Sequence, residues 1–318
     1  MADVIGIEEY STVDLLQQLE RLPESNEDMF VLASSWQCGG KVATAIAAAG
    51  RLGADAGIVG VVGDDSLGNF CRDDYIRHGV DTRYLVQDPG ASTFLCVVLA
   101  DKETNGRCII ANPCSHRDIA AEDIDMDYIL GAKYLHLCKI TSVYADKVQK
   151  AKEAGLTICL DADFYEEETF QNIHLVDVLI MSEFYYRSIF KTGDLQDNCK
   201  TLQAGGPGIV IVTLGEKGCA GLGPEGYFTL PAFSGFDIAD TTGAGDVFHG
   251  AFIVGLLQGW NTEECARFSS AVAGIKCTRP GGRAAIPDFE TVQRFLKDGH
   301  IDYTEIDKRV EFYNKCPF

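Results

Sequence analysis

Asp246 closes the run Asp240-Thr241-Thr242-Gly243-Ala244-Gly245-Asp246, which leads into an apolar, helix-like stretch at 251–259. Gly243, Ala244 and Gly245 are small enough for consecutive backbone N–H groups to face one concavity without side chains in the way. A helix starting there adds its positive end, so the loop suits a phosphate or a developing anion. A loop that only bound phosphate would gain nothing from a carboxylate. Amides that hold negative charge beside an acid that accepts a proton point to phosphoryl transfer onto a hydroxyl, with Asp246 as the base. The competing roles are plain helix capping for Asp and Thr, and a strand-to-helix turn for the glycines. The loop is not a Walker A motif, because no Gly-Lys-Ser/Thr follows, and it lacks the Gly-x-Gly-x-x-Gly of a dinucleotide site. An aspartate at a helix N-terminus ionises easily and is a weak base, so positioning and the amide cradle are expected to supply most of the rate. His249, three residues on, reads as a packed or capping histidine.

The elements that must position this loop are an alternation of strand-like and helical runs. Residues 57–62 precede a helical pattern at 67–78, and 133–137 precede one at 143–154. Strands are expected at 156–160, 176–181 and 208–214, with a helix at 195–204 before the last of them. Beyond Asp246 the pattern is helical, at 251–258, 262–277 and 289–297. Such alternation predicts an α/β fold with a mainly parallel sheet covered by helices on both faces. Two stretches, about 7–36 and 92–112, hold short β-type segments without helices, including Met29–Leu32, 93–99 and 107–111. They predict either a small β-sheet that covers the main sheet as a lid and excludes water, or surface hairpins.

Acids outnumber bases 47 to 27, for a net charge of −20, which opposes nucleic acid or an anionic membrane as partner. The apolar runs are too short to span a bilayer, and the N-terminus lacks the features of a signal peptide. The 12 cysteines are scattered singly without a Cys-x-x-Cys, as expected of free thiols in a reducing cytoplasm.

The run 240–246 resembles the C-terminal signature of the ribokinase (PfkB-type) family of sugar and nucleoside kinases. Gly39-Gly40-Lys41, the helix to Gly53 and Gly60-Val61-Val62-Gly63-Asp64-Asp65-x-x-Gly68 are similar to its N-terminal signature. Val212-Thr213-Leu214-Gly215-x-x-Gly218 resembles its nucleotide-bearing strand and turn. The motifs occur in the family's order across about 1–290, and ordered motifs are far harder to match by chance than one. Trp36-Gln37-Cys38-Gly39-Gly40 and 272–277 are closest to the ketohexokinase branch.

The resemblance implies one ribokinase-like domain over 1–318, a three-layer sandwich with the lid attached. It implies ATP and Mg²⁺ as cofactors, K⁺ in some members, a small sugar as substrate and a homodimer formed through the lid. Asp246 is then the base, and the amides of Gly243, Ala244 and Gly245 hold the phosphoryl group. Asp14, Gly39, Gly40, Lys41 and Thr44 line the sugar pocket, with Asp14 on the first strand. Ser182, Thr213, Gly215, Gly218, Thr242, Gly243, Gly245 and Cys277 border the nucleotide, and Arg107 contacts phosphate. Asp240 and Thr242 are the positions for a monovalent cation, and Glu183 is the candidate for Mg²⁺. Two departures stand out: Ser182-Glu183-Phe184-Tyr185 replaces the Asn-x-x-Glu of many relatives, and Thr44 replaces a frequent sugar-binding asparagine. The expected activity is an ATP-dependent sugar kinase. Alternatives are a nucleoside kinase (with Trp36 and Phe94 as a base slot), a sugar-phosphate kinase, and a catalytically silent sugar or nucleotide sensor.

Overall fold

The computed structural model describes residues 2–103 and 107–315. In chain order its strands are β1 (Val4–Glu8), β2 (Thr12–Leu19), β3 (Ala33–Gly39), β4 (Ala56–Gly63), β5 (Val80–Asp88), β6 (Phe94–Asp101), β7 (Arg107–Asn112), β8 (Tyr134–Leu137), β9 (Thr157–Ala162), β10 (Val178–Ser182), β11 (Ile209–Thr213), β12 (Cys219–Gly223) and β13 (Gly226–Leu230). The helices are α1 (Lys41–Arg51), α2 (Ser66–Arg77), α3 (Met126–Ile129), α4 (Ala145–Glu153), α5 (Glu167–Gln171), α6 (Glu183–Ile189), α7 (Leu195–Gln203), α8 (Ala244–Leu257), α9 (Thr262–Lys276), α10 (Phe289–Asp298) and α11 (Thr304–Tyr313).

Nine strands make one sheet in the order β13-β12-β11-β10-β9-β8-β1-β4-β5, parallel except at β12 and β13. β4 is buried at every position, as a strand with helices over both faces must be. On one face Ile58, Val62 and Ile180 pack with Ile46 of α1, Phe252 of α8 and Phe268 of α9. On the other, Val59, Ile158 and Leu179 pack with Val148 of α4 and Leu202 of α7. These are the expected three layers. Helix α8 is apolar nearly all round, and Gly250 lets it press onto α1: a Cβ there would lie 2.0 Å from the Ala45 carbonyl oxygen. The strand order reverses at β1, which sits between β8 and β4. In such sheets ligands bind beyond the carboxyl ends of the strands at the reversal. Glu8, Leu137, Ala162, Ser182 and Thr213 end their strands at that edge.

The second sheet has four strands, β3-β2-β6-β7, drawn from 12–39 and 94–112. Two expectations change here. Residues 7 and 8 belong to β1 of the large sheet, and Asp14 lies on β2, paired with Gln37, not on the first strand. Met29–Leu32 is not a strand, and Phe30 is 96% exposed. The polar turn before it, closed by an Arg21–Glu27 pair, delays the ladder until Ala33 meets Gln18, so those apolar side chains have no layer to pack on. Gln37 fastens β3 to the segment 280–284: its Oε1 accepts from the N–H groups of Arg283 and Ala284, each at 3.0 Å, and its Nε2 donates to the Pro280 carbonyl at 2.9 Å.

Candidate active site

Helix α8 begins at Ala244, so the helical run expected at 251–258 reaches back to the loop as the anion-site reading requires, with Gly243 at its N-cap in the left-handed region (φ 74°). Asp246 therefore stands in the first turn. The first N–H groups of a helix have no partner within it. Ala244 donates to the Thr241 carbonyl at 3.2 Å, whereas the N–H groups of Gly243, Gly245 and Asp246 have no backbone acceptor among the described residues. A Cβ built on Gly245 would meet nothing within 4 Å, so that side of the turn is free space.

The expectation of an easily ionised Asp246 is overturned. Burial, then the negative field of Asp161, pushes its pKa well above the usual carboxylate range, with Lys41 opposing. A carboxylate held this way is the stronger base. Asp161, near the end of β9, is itself pushed up to about 6 by burial. His249, next along the same face of α8, is 5% exposed and sets Nε2 3.4 Å from Asp161 Oδ1, with its ring 5.5 Å from that of His136. Burial lowers both histidines to about 3, so both are neutral near pH 7. His249 is thus packed, as its sequence context indicates.

Asp14 approaches Gly39 so closely that a Cβ on Gly39 would lie 2.5 Å from Asp14 Oδ2. Thr12 Oγ1 donates to Asp14 Oδ1 at 3.0 Å, while burial raises the Asp14 pKa. Gly40 (φ 94°) turns the chain from β3 into α1 over Glu8. Lys41 pairs with Asp163 at 2.8 Å and lies 4.2 Å above the Phe164 ring; burial works against its charge, but Asp163 and Asp161 prevail and raise its pKa. Thr44 is 1% exposed, and its hydroxyl accepts from Arg283 Nε at 3.2 Å, so it faces the interior and not open space.

Two buried groups escaped the sequence reading. Glu8 is 4% exposed, accepts from the Ala43 and Tyr10 N–H groups at 2.8 and 3.0 Å, and is raised by burial to about 7. Arg283 is fully buried and donates to Asp74 Oδ2 and the Gly39 carbonyl, each at 2.7 Å. Tyr313 donates to the same Asp74. Neither Glu8 nor Arg283 lies in a local motif; only the polar residue ending the apolar run 4–8 hinted at Glu8.

At the far end of the sheet edge, Ser182 caps α6 by accepting from the Tyr185 N–H at 3.0 Å, and Glu183 pairs with Arg187 one turn on at 2.5 Å. Thr213 Oγ1 donates to the Met181 carbonyl at 3.3 Å, and Gly215 and Gly218 take positive φ in the turn to β12. The Cys277 carbonyl accepts from the N–H groups of Ala239 and Asp240 at 2.8 and 3.1 Å. Asp240 accepts three hydrogen bonds: Oδ1 from the N–H and hydroxyl of Thr242, each at 2.8 Å, and Oδ2 from the Gly281 N–H at 2.7 Å. Arg107, at the start of β7, donates to Thr242 Oγ1 at 2.9 Å. Lys276 Nζ, fully buried, donates to the carbonyls of Asp240 (3.0 Å) and Thr242. A cleft of about 690 Å³ between the small sheet and 238–242 is lined by Arg107, Asp240 and Thr242, though not by Asp246, Asp14 or Lys41. Trp36 packs partly buried against the core and the Phe94 ring lies 6.2 Å from Tyr10.

Known proteins resemble this chain in sequence and fold. An ATP-dependent ribose-1-phosphate kinase of Halopiger xanaduensis is 27% identical over 298 residues, covering 90% of this chain and 95% of that protein. Mouse ketohexokinase is 23% identical, covering 85% and 94%. The structure of Arabidopsis thaliana ribokinase complexed with ribose and ATP superposes with a TM-score of 0.79 at 23% identity, over 93% of this chain and 99% of that one, so the fold is ribokinase-like. The description "pfkB family carbohydrate kinase" matches residues 9–288, from the end of β1 past the loop that carries Asp246. The chain belongs to the pfkB family of carbohydrate kinases, and is a phosphotransferase.

Proposed function

We propose that this kinase transfers the γ-phosphoryl group of ATP to a hydroxyl of a small free sugar or sugar derivative. The observation that carries the reading is Asp246: a half-buried carboxyl with a raised pKa, in the first turn of a helix whose neighbouring N–H groups are open. Asp246 accepts the hydroxyl proton. The N–H groups of Gly243 and Gly245, with the positive end of α8, hold the phosphoryl group as charge develops on it. Asp14, with Gly39, Gly40 and Lys41, orients the sugar, while Ser182, Thr213, Gly215, Gly218 and Cys277 border the nucleotide. Mg²⁺, when bound, neutralises phosphate charge. Glu183 suits it, being a carboxylate at the strand edge held only by a partly exposed pair, which costs little to open.

The acceptor side is acidic, with Glu8, Asp161 and Asp163 all acting on Asp246 and Lys41 already paired to Asp163. That favours neutral hydroxyls over a phosphorylated acceptor. The small sheet is read as the lid, and its edge strand β7, exposed along its whole length with Ile109 and Ile110 outward, as the face that meets a second copy. The unpaired thiols among the described cysteines suit a cytoplasmic location.

The test is an ADP-release screen over ketoses, aldoses, sugar acids, sugar phosphates and nucleosides with ATP and Mg²⁺. Turnover is expected with a free sugar, and Asp246→Asn is expected to lose about 10²–10⁴-fold in kcat while keeping its fold. Sugar binding without ADP release across the whole panel would establish the sensor reading instead.

A further inference from the structure

Asp240 and Thr242 are where the family resemblance puts a monovalent cation, and their carbonyl oxygens do converge on one positive charge. That charge is covalently part of the chain. Lys276, the last residue of α9, is fully buried with Nζ on both carbonyls, and the Asp240 carboxylate beside it accepts three hydrogen bonds from Thr242 and Gly281. The residues present therefore do not fit a K⁺ ion: the Lys276 ammonium already stands at the point where the two carbonyls converge, and a second cation there would be repelled.

The consequence for the anion loop follows from peptide geometry. In a trans peptide the C=O of one residue and the N–H of the next point in opposite directions. Drawing the Thr242 carbonyl onto Lys276 turns the Gly243 N–H to the other side, and Gly243 is one of the open donors of the loop. The same end of α9 grips the segment a second time, through the Cys277 carbonyl and the N–H groups of Ala239 and Asp240. Burial pulls the Lys276 pKa down, while the negative fields of Asp240 and Asp246 help keep it charged.

We propose that Lys276 is a built-in monovalent cation: its ammonium, held by the Asp240 and Thr242 carbonyls, sets the Gly243 N–H toward the phosphoryl group and frees the kinase from K⁺. Lys276 is a positioning residue here, acting through the loop. The proposal rests on the phosphoryl-transfer reading above, and the test separates the two. Wild-type kcat is expected to stay within about twofold when tetramethylammonium replaces K⁺ or NH₄⁺, a change well under 1 kcal/mol in the barrier. Lys276→Ala in tetramethylammonium should lose about 10²-fold in kcat, the scale for disabling one anion-hole donor. K⁺ or NH₄⁺ should restore most of that loss and raise the melting temperature of the variant, since an ion that binds the folded state stabilises it. Lys276→Met, which fills the space with an uncharged chain, should show neither effect. Stimulation of the wild type by K⁺ beyond about tenfold would overturn the proposal. So would full activity of Lys276→Ala without a small cation, or failure of K⁺ to move its melting temperature. If Lys276→Ala does not fold, the wild-type cation dependence decides. If no acceptor yields ADP, the kinase reading fails, and the melting temperatures of the two variants still judge Lys276.

Discussion

On the proposed mechanism Asp246 would act at a pKa raised first by burial and then by its neighbours. A carboxyl raised by burial and by Asp161 stays protonated, and unable to accept a proton, until the pH passes that raised value. The acid limb of kcat/KM should therefore lie above the ordinary aspartate range of about 4. Asp161→Asn removes a like charge and should move that limb to lower pH; pH–rate profiles of the two proteins check this. Gly245→Val offers a complementary test. Its added side chain would stand in the open space of the first turn, so the fold should keep its stability while turnover collapses, read by denaturation and ADP release. The run 240–246 was legible in the sequence because all its parts are local: small residues, an acid and a helix start. Lys276, Glu8 and Arg283 were not, since each owes its role to burial against segments that are remote in the chain. Thr44 shows the converse, a position the family pattern puts in the pocket whose hydroxyl turns to Arg283 instead.

Among the elements, the parallel strands were readable from their apolar runs, and α8 and α9 from apolar helical stretches. What the pattern could not supply was where pairing begins, as Met29–Leu32 demonstrates by staying outside the ladder that starts at Ala33. Nor could it show that β3, α1, α2 and α11 meet at one buried ionic knot. Arg283 joins the Gly39 carbonyl, Thr44 and Asp74, and Tyr313 closes on the same Asp74. Both charges are fully buried, so removing one strands the other in a medium that solvates it poorly. Arg283→Met should lower stability by about 3–5 kcal/mol in urea titrations, whereas breaking the exposed Lys308–Glu305 pair should cost at most about 1 kcal/mol.

For the whole molecule, the reversal of strand order at β1 gathers the ends of five strands at one edge, and the small sheet stands with its β7 end against the 240–242 loop. If β7 is the face that meets a second copy, Ile110→Asp should convert a dimer to a monomer in light scattering; a wild-type monomer at micromolar concentration would count against that contact. The Gln37 clasp carries a mechanical consequence. It pins β3 to the body at 280–284, and Gly282 backs directly onto Gly243, where a Cβ would come within 3.0 Å. The small sheet thus hangs from a fixed pivot near its own root, and any swing grows along β3 toward the exposed tip around Phe30. Because the pivot abuts the turn that starts α8, a swing of the small sheet is expected to press on Gly243, so that under the proposed function the posture of the sheet and the shape of the anion loop would be coupled.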